Sequence, residues 1–161
     1  MLILDTDASS VLAKGEIIEE TLELFSNHQV AITPKIEEEV ERPLEYGYSY
    51  PEKILRNVEV TNIREEEKDK YREWFEESSV DKGELEATVV AKDRDAIFFT
   101  MDQQAKRFAE KKRVQTLSIN NLIKLLIQKD FLSKEEVNSA VEKIEERDNR
   151  EINTDEALEE K

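Results

Sequence analysis

Four carboxylates carry most of the chemistry that this sequence offers. Asp5 ends the apolar run Leu2-Ile3-Leu4, and Asp102 follows Ile97-Phe98-Phe99-Thr100 almost directly. Glu39 stands about one and a half helical turns beyond the run Val30-Ala31-Ile32-Thr33. Glu84 falls in the first turn of the helix that leads to the Phe98 run. Each apolar run reads as a buried strand, and in open α/β sheets ligands bind outside the carboxyl ends of the strands. Carboxylates converging there repel one another, so at least one pKa rises unless a cation neutralises them. Oxygen ligands without His or Cys suit Mg²⁺ or Mn²⁺, the setting of metal-assisted phosphodiester hydrolysis. Each acid also has a plainer reading. Asp5 and Asp102 suit helix N-caps, Glu84 suits a helix N-terminus, and Glu39 lies in the run Glu37-Glu38-Glu39, which reads as a solvated face. Those plainer roles do not explain why acids occupy every expected strand end at once.

Other chemistries are excluded by composition. The 161 residues contain no cysteine and one histidine, His28. Disulfides, thiolate catalysis, zinc–thiolate sites and multi-histidine sites are therefore ruled out. A Ser-His-Asp triad would need His28, which sits in the polar turn Ser26-Asn27-His28 and reads as a solvated loop residue. Neither a Gly-x-Gly-x-x-Gly fingerprint nor a P-loop is present. The net charge of −15, from 39 acidic against 24 basic residues, repels phosphate on average. Nucleic acid would thus bind locally or with the help of cations. With 38% hydrophobic residues the chain still holds enough for one core. No apolar run approaches the roughly 18 residues of a spanning helix. The start lacks a basic segment and a signal-peptide core, so a soluble, cytoplasmic protein of a reducing compartment is expected.

The elements that must position the acids alternate between strand and helix. Strands are predicted at residues 2–4, 30–33, 58–63, 96–100 and 114–117. Helices are predicted at 7–14, 16–25, 34–43, 64–77, 81–93, 103–112, 119–127 and 134–144. The 58–63 strand alternates apolar and polar residues and should expose one face. Residues 44–56, with Tyr46, Tyr48 and Tyr50, read as a loop or short helix with aromatic surface. From Glu145 onward, eight acids face three bases, and the segment is expected to fray. The alternation implies an α/β fold: a three-layer α/β/α sandwich around a mainly parallel sheet, with extra C-terminal helices. A boundary near Ser133 would separate residues 1–132 from a C-terminal helix and acidic tail at 133–161.

Over about 1–132 these residues resemble the PIN domain, a metal-dependent nuclease fold found in VapC-type toxins and in RNA-processing and quality-control nucleases. Leu2-Ile3-Leu4-Asp5-Thr6-Asp7 resembles the family's first strand and first acid. Thr33-Pro34-Lys35-Ile36-Glu37-Glu38-Glu39-Val40 resembles the Pro-x-Val-x-x-Glu-Leu segment, which places the second acid at Glu39. Gly83-Glu84-Leu85-Glu86-Ala87 resembles Gly-Glu-x-Glu-Ala and places the third at Glu84, with Glu86 two residues on and turned to another helix face. Thr100-Met101-Asp102-Gln103-Gln104-Ala105 resembles Thr-x-Asp-x-x-Ala and places the fourth at Asp102. The chain departs from many relatives in carrying Gln103 and Gln104 where a further acid stands.

The resemblance implies that Asp5, Glu84 and Asp102 ligate Mg²⁺ or Mn²⁺. Glu39 would ligate directly or orient a water, Thr6 would hydrogen-bond a phosphate or a ligand carboxylate, and Asp7 would support the ligands. It implies a metal-dependent ribonuclease, toxin-like or RNA-processing, acting on single-stranded RNA as a homodimer, with an antitoxin or an RNA-processing partner. A PIN-like binding or scaffold module with little or no activity is the alternative. For substrate contact the most basic stretch offers Lys106, Arg107 and Lys111, beside Lys112 and Arg113. These cations equally suit a helix C-terminus. The three tyrosines could stack on unpaired bases, pack, or form a dimer surface.

Overall fold

The computed structural model describes residues 1–149 and 151–159; residues 150, 160 and 161, within the expected tail, lie outside the described residues. Five strands form one parallel sheet: β1 (Leu2–Leu4), β2 (Val30–Ile32), β3 (Glu59–Val60), β4 (Ile97–Phe99) and β5 (Thr116–Leu117). Their order is β3-β2-β1-β4-β5. The chain lays β2 and β3 to one side of β1, then crosses to lay β4 and β5 on the other. The switch point of the topology therefore lies between β1 and β4, where open α/β sheets leave a crevice at the strand ends.

Side chains alternate across the sheet, as a two-residue period requires. Leu2, Leu4, Ile32 and Phe99 face one layer and Ile3, Ala31 and Phe98 the other. On the first face pack α1 (Thr6–Lys14), α8 (Ile119–Gln128) and α9 (Lys134–Asp148). On the second pack α6 (Lys82–Asp93) and α7 (Gln103–Lys111), through Ala87, Val90, Ala105 and Ala109. The result is a three-layer α/β/α sandwich. The charged helix α5 (Glu65–Phe75) is attached outside α6. Trp74 meets Phe108 edge to face at 6.2 Å, and the fully buried Glu67 accepts from Arg94 Nε and Nη2, both at 2.8 Å. This bidentate geometry compensates a buried charge that would otherwise be costly.

One expectation needs adjustment. The predicted 58–63 strand pairs only over Glu59–Val60, and both residues are exposed. Val58 is drawn inward, where its N–H closes helix α4 (Pro51–Asn57) on the carbonyl of Ile54, and β3 has a neighbour on one side only. Residues 42–57 form a 3-10 turn, Arg42–Tyr46, followed by α4, with Tyr46 and Tyr48 exposed, in keeping with the short helix and aromatic surface expected there. In the acidic segment after Glu145 the described residues make specific contacts. Helix α9 runs to Asp148, Arg147 donates to the carbonyl of Lys14 at 2.6 Å, and Lys143 pairs with Glu16 at 2.6 Å. Beyond it Ala157 is buried and Ile152 and Leu158 pack against the core that contains Val137, Val141 and Ile144. Sparse apolar residues dock the segment despite its charge. Among the described residues no helix is long and apolar enough to cross a membrane.

Candidate active site

Asp5 follows β1 and caps α1. Its Oδ1 accepts from Ala8 N–H at 2.6 Å, and its Oδ2 accepts from the Thr100 hydroxyl and from Met101 N–H at 3.2 Å. The side chain is almost wholly buried, and burial pushes its pKa up to about 6; the Thr100 and backbone hydrogen bonds oppose that rise and the charge of Asp7 adds to it. Asp102 follows β4 and caps α7 through Ala105 N–H at 2.8 Å. Its own N–H donates to Thr100 Oγ1 at 3.1 Å. Thr100 thus ties together the two acids at the topological switch point.

Glu84 opens α6 in a reciprocal cap. Its N–H donates to Asp81 Oδ1 at 2.8 Å, and Asp81 N–H reaches Glu84 Oε1 at 3.4 Å. Glu84 Oε2 is buried without a hydrogen-bond partner. Burial first, then the adjacent Asp81 carboxyl, then the charge of Asp102, raise the Glu84 pKa to about 9. Glu39 lies on α3 (Pro34–Glu41) and its Oε2 accepts from the Thr6 hydroxyl. Burial also raises its pKa, against the Thr6 hydrogen bond.

These groups line one cavity of about 400 Å³, bounded by Asp5, Thr6, Asp7, Glu39, Arg42, Asp81, Glu84 and Asp102. Six carboxylates face one guanidinium. Glu86 is turned away, its Oε1 accepting from Lys35 N–H at 2.9 Å. Lys106, Arg107 and Lys111 lie on α7 and do not line the cavity; Lys106 approaches Glu110 at 4.0 Å. Among the described residues no three His, Cys, Asp or Glu side chains stand together as a ready group for a metal ion.

A family model described as a PIN domain matches residues 1–157. The chain belongs to the PIN-domain family. Neither a curated protein nor a solved structure matches it. Membership places this PIN domain among nucleic-acid-processing proteins, a family consistent with hydrolase activity and often served by divalent metals. Two residues around the cleft of this PIN domain were not singled out by sequence as site residues. Asp81 reads there only as a helix start and Thr100 only as the end of a strand. The signal for Thr100 was its place two residues before Asp102.

Gly83 shows how tightly α3 approaches α6. A Cβ at this position would stand 2.7 Å from Glu39 Oε1 and 3.0 Å from Ile36 Cδ1. The carboxylate is the far end of a flexible side chain and can swing aside. Gly83→Ala is therefore expected to change stability by less than about 1 kcal/mol, since Ala also favours the helix, while moving Glu39 out of the cleft. Thermal melts should stay close to wild type while cleft-dependent activity falls; equal loss of both would mean that the helices themselves have parted.

Proposed function

We propose that this PIN domain binds RNA at the acid-lined cleft and cleaves it as a Mg²⁺- or Mn²⁺-dependent ribonuclease, in a toxin-like or RNA-processing role. The observation that carries the reading is the orphaned Glu84 Oε2 beside five further carboxylates. A buried polar atom without a partner costs roughly 1–3 kcal/mol, and here the side chain beside it is another acid, Asp81. Either a proton or a cation must satisfy that oxygen, and an all-oxygen donor set suits a hard divalent ion. Asp5, Glu84 and Asp102 would hold the ion, with Glu39 as a fourth carboxylate. Bound there, it would supply an activated water and neutralise charge developing on the phosphate.

The chain's own residues then have distinct tasks. Thr100, Met101 and Ala8 clamp both oxygens of Asp5, so its orientation is fixed before substrate arrives. Thr6 orients Glu39. Glu84 holds a proton at neutral pH and must release it to become a charged ligand. Arg42 is the cation on the cavity wall and is placed to meet a phosphate.

A second reading has its own support. A PIN-fold binding module with little or no turnover fits the finding that no three acids stand together as a ready metal group among the described residues. That spacing supports the module more directly; the orphaned oxygen and the raised acids support the nuclease. Incubating the protein with labelled single-stranded RNA, with Mn²⁺ and with EDTA, separates them. The nuclease reading expects endonucleolytic products in Mn²⁺ and none in EDTA. RNA retained intact in Mn²⁺ makes the protein a binding module, and cleavage unchanged by EDTA overturns the metal.

A further inference from the structure

A second cavity, of about 210 Å³, opens beside the acid cleft and shares Thr6, Asp7 and Glu39 with it. Its other walls differ in character. Val40, Pro43, Ile54 and the ring of Tyr50 supply apolar surface, and Ser10 and Lys14 supply polar atoms. The volume is below the roughly 300–1,000 Å³ of drug-sized sites, and suits one flat group. Lys14 lies over the Tyr50 ring, 4.4 Å from its centroid, and is paired with Asp148. Tyr50 in turn touches Tyr48 edge to face, with centroids 6.3 Å apart. Tyr48 and Tyr46 are 61% and 77% exposed, on either side of Gly47, whose φ of +87° turns the chain. An aromatic track therefore leads from solvent into a pocket that adjoins the carboxylates.

Charge decides what such a track can hold. The cleft and pocket together carry the acids already named and Asp148, against Arg42 and a Lys14 that is already paired. Lys106, Arg107 and Lys111 line neither cavity. Beyond the one contact that Arg42 offers, phosphates gain little here, whereas the faces of unpaired bases gain by stacking, which does not require a positive surface. Only a single strand offers such faces freely.

We propose that the Tyr48–Tyr50 track and its pocket form a base-stacking subsite for single-stranded RNA, gripping the strand by its bases beside the acid cleft. This rests on the reading of the cleft as the RNA site and adds how the strand is held. Affinity should then depend weakly on salt, with a slope of log K on log salt corresponding to about two phosphate contacts or fewer.

The test is binding of fluorescent oligoadenosine and oligouridine of about ten nucleotides to the full chain in EDTA, over a salt series. Tyr48→Ala and Tyr50→Ala are each expected to weaken binding by about fivefold or more. Tyr48→Phe and Tyr50→Phe keep the ring and should bind as wild type, which separates stacking from misfolding. Replacing bases by abasic sites should weaken wild-type binding and leave the Tyr48→Ala protein little changed. Unchanged affinity in both alanine variants, or a steep salt slope, overturns the subsite. So does a Tyr48→Ala protein that loses self-association while keeping its RNA affinity, because the tyrosines then serve a protein contact. Cleavage by wild type in Mn²⁺ is scored separately. Cleavage with tyrosine-independent binding sinks the subsite and leaves the nuclease standing. Tyrosine-dependent binding without cleavage does the reverse.

Discussion

Glu84→Gln is expected to lower Mn²⁺-dependent RNA cleavage by at least about 100-fold with the fold intact. Outer partners of metal ligands typically cost 10–100-fold when removed, so a direct ligand should cost at least the upper end. The substitution is a clean one at this place. Glutamine at the third position of α6 still offers a carbonyl oxygen to Asp81 N–H, so the reciprocal cap survives. Its amide can also donate toward Asp81. What is lost is the ability to become an anion. Glu86→Gln is the matched control: it lies two residues on, on another face of α6, and accepts from Lys35 N–H, and cleavage should stay within a few-fold of wild type. Single-turnover cleavage at fixed Mn²⁺ compares the three proteins. A Glu84→Gln enzyme within about fivefold of wild type would reduce Glu84 to a helix cap.

Much of this architecture could be read from the chain because it is local. Leu2-Ile3-Leu4, Val30-Ala31-Ile32 and Ile97-Phe98-Phe99 are apolar on both faces, as strands covered by helices on both sides must be. Alternation with helices then dictated a parallel sheet, whose strand ends gather on one edge. That is why Asp5, Glu39, Glu84 and Asp102, far apart in sequence, line one cavity. The PIN-domain resemblance over these segments is matched by the family model across residues 1–157.

Other features were not local. Asp81 carries a cap signature and nothing that marks it as the neighbour of Glu84 within the cleft. The Thr100 hydroxyl gains its role only when β1 and β4 become neighbours. Lys106, Arg107 and Lys111 are near Asp102 in sequence, but successive helical residues rotate by about 100°, and α7 carries them off the cavity wall. Val58 and Val60 imitate an alternating strand, yet the end of α4 takes the first and the sheet edge exposes the second. The docked segment after α9 has too few apolar residues to show a period; Ala157 and Leu158 find a surface that only the folded core provides.

Stability should report the same carboxylates without any substrate. Glu84 has an ordinary pKa of 4.5 and a folded one of about 9; for Asp5 the values are 3.8 and about 6. Below the lower value both states hold the proton and the group is neutral to stability. Between the two values the unfolded chain ionises while the folded chain keeps its proton, so stability falls as pH rises. For Asp5 that loss is complete by about pH 6, and for Glu84 it continues to about pH 9. Metal-free wild type should therefore melt lower at pH 8 than at pH 6. Solvent screening at the partly exposed Glu84 leaves an effect of order 1 kcal/mol, about 2–4 °C. The net charge of −15 adds a general acid-favouring trend, but it is nearly the same in Glu84→Gln, so the difference between the two proteins isolates the cleft. The variant should melt higher than wild type at pH 8 and close to it at pH 4.5. Mn²⁺ should reverse the order at pH 8. A cation that displaces the Glu84 proton and binds only the folded state contributes roughly 2.7 kcal/mol at a hundredfold excess over Kd, about 5–10 °C for a domain of this size. Glu84→Gln lacks the anion and should gain only a small part of that. Equal Mn²⁺ shifts in the two proteins, at fixed ionic strength, would mean that the ion binds elsewhere on this acidic surface and that the raised Glu84 carboxyl is held by Asp81 alone.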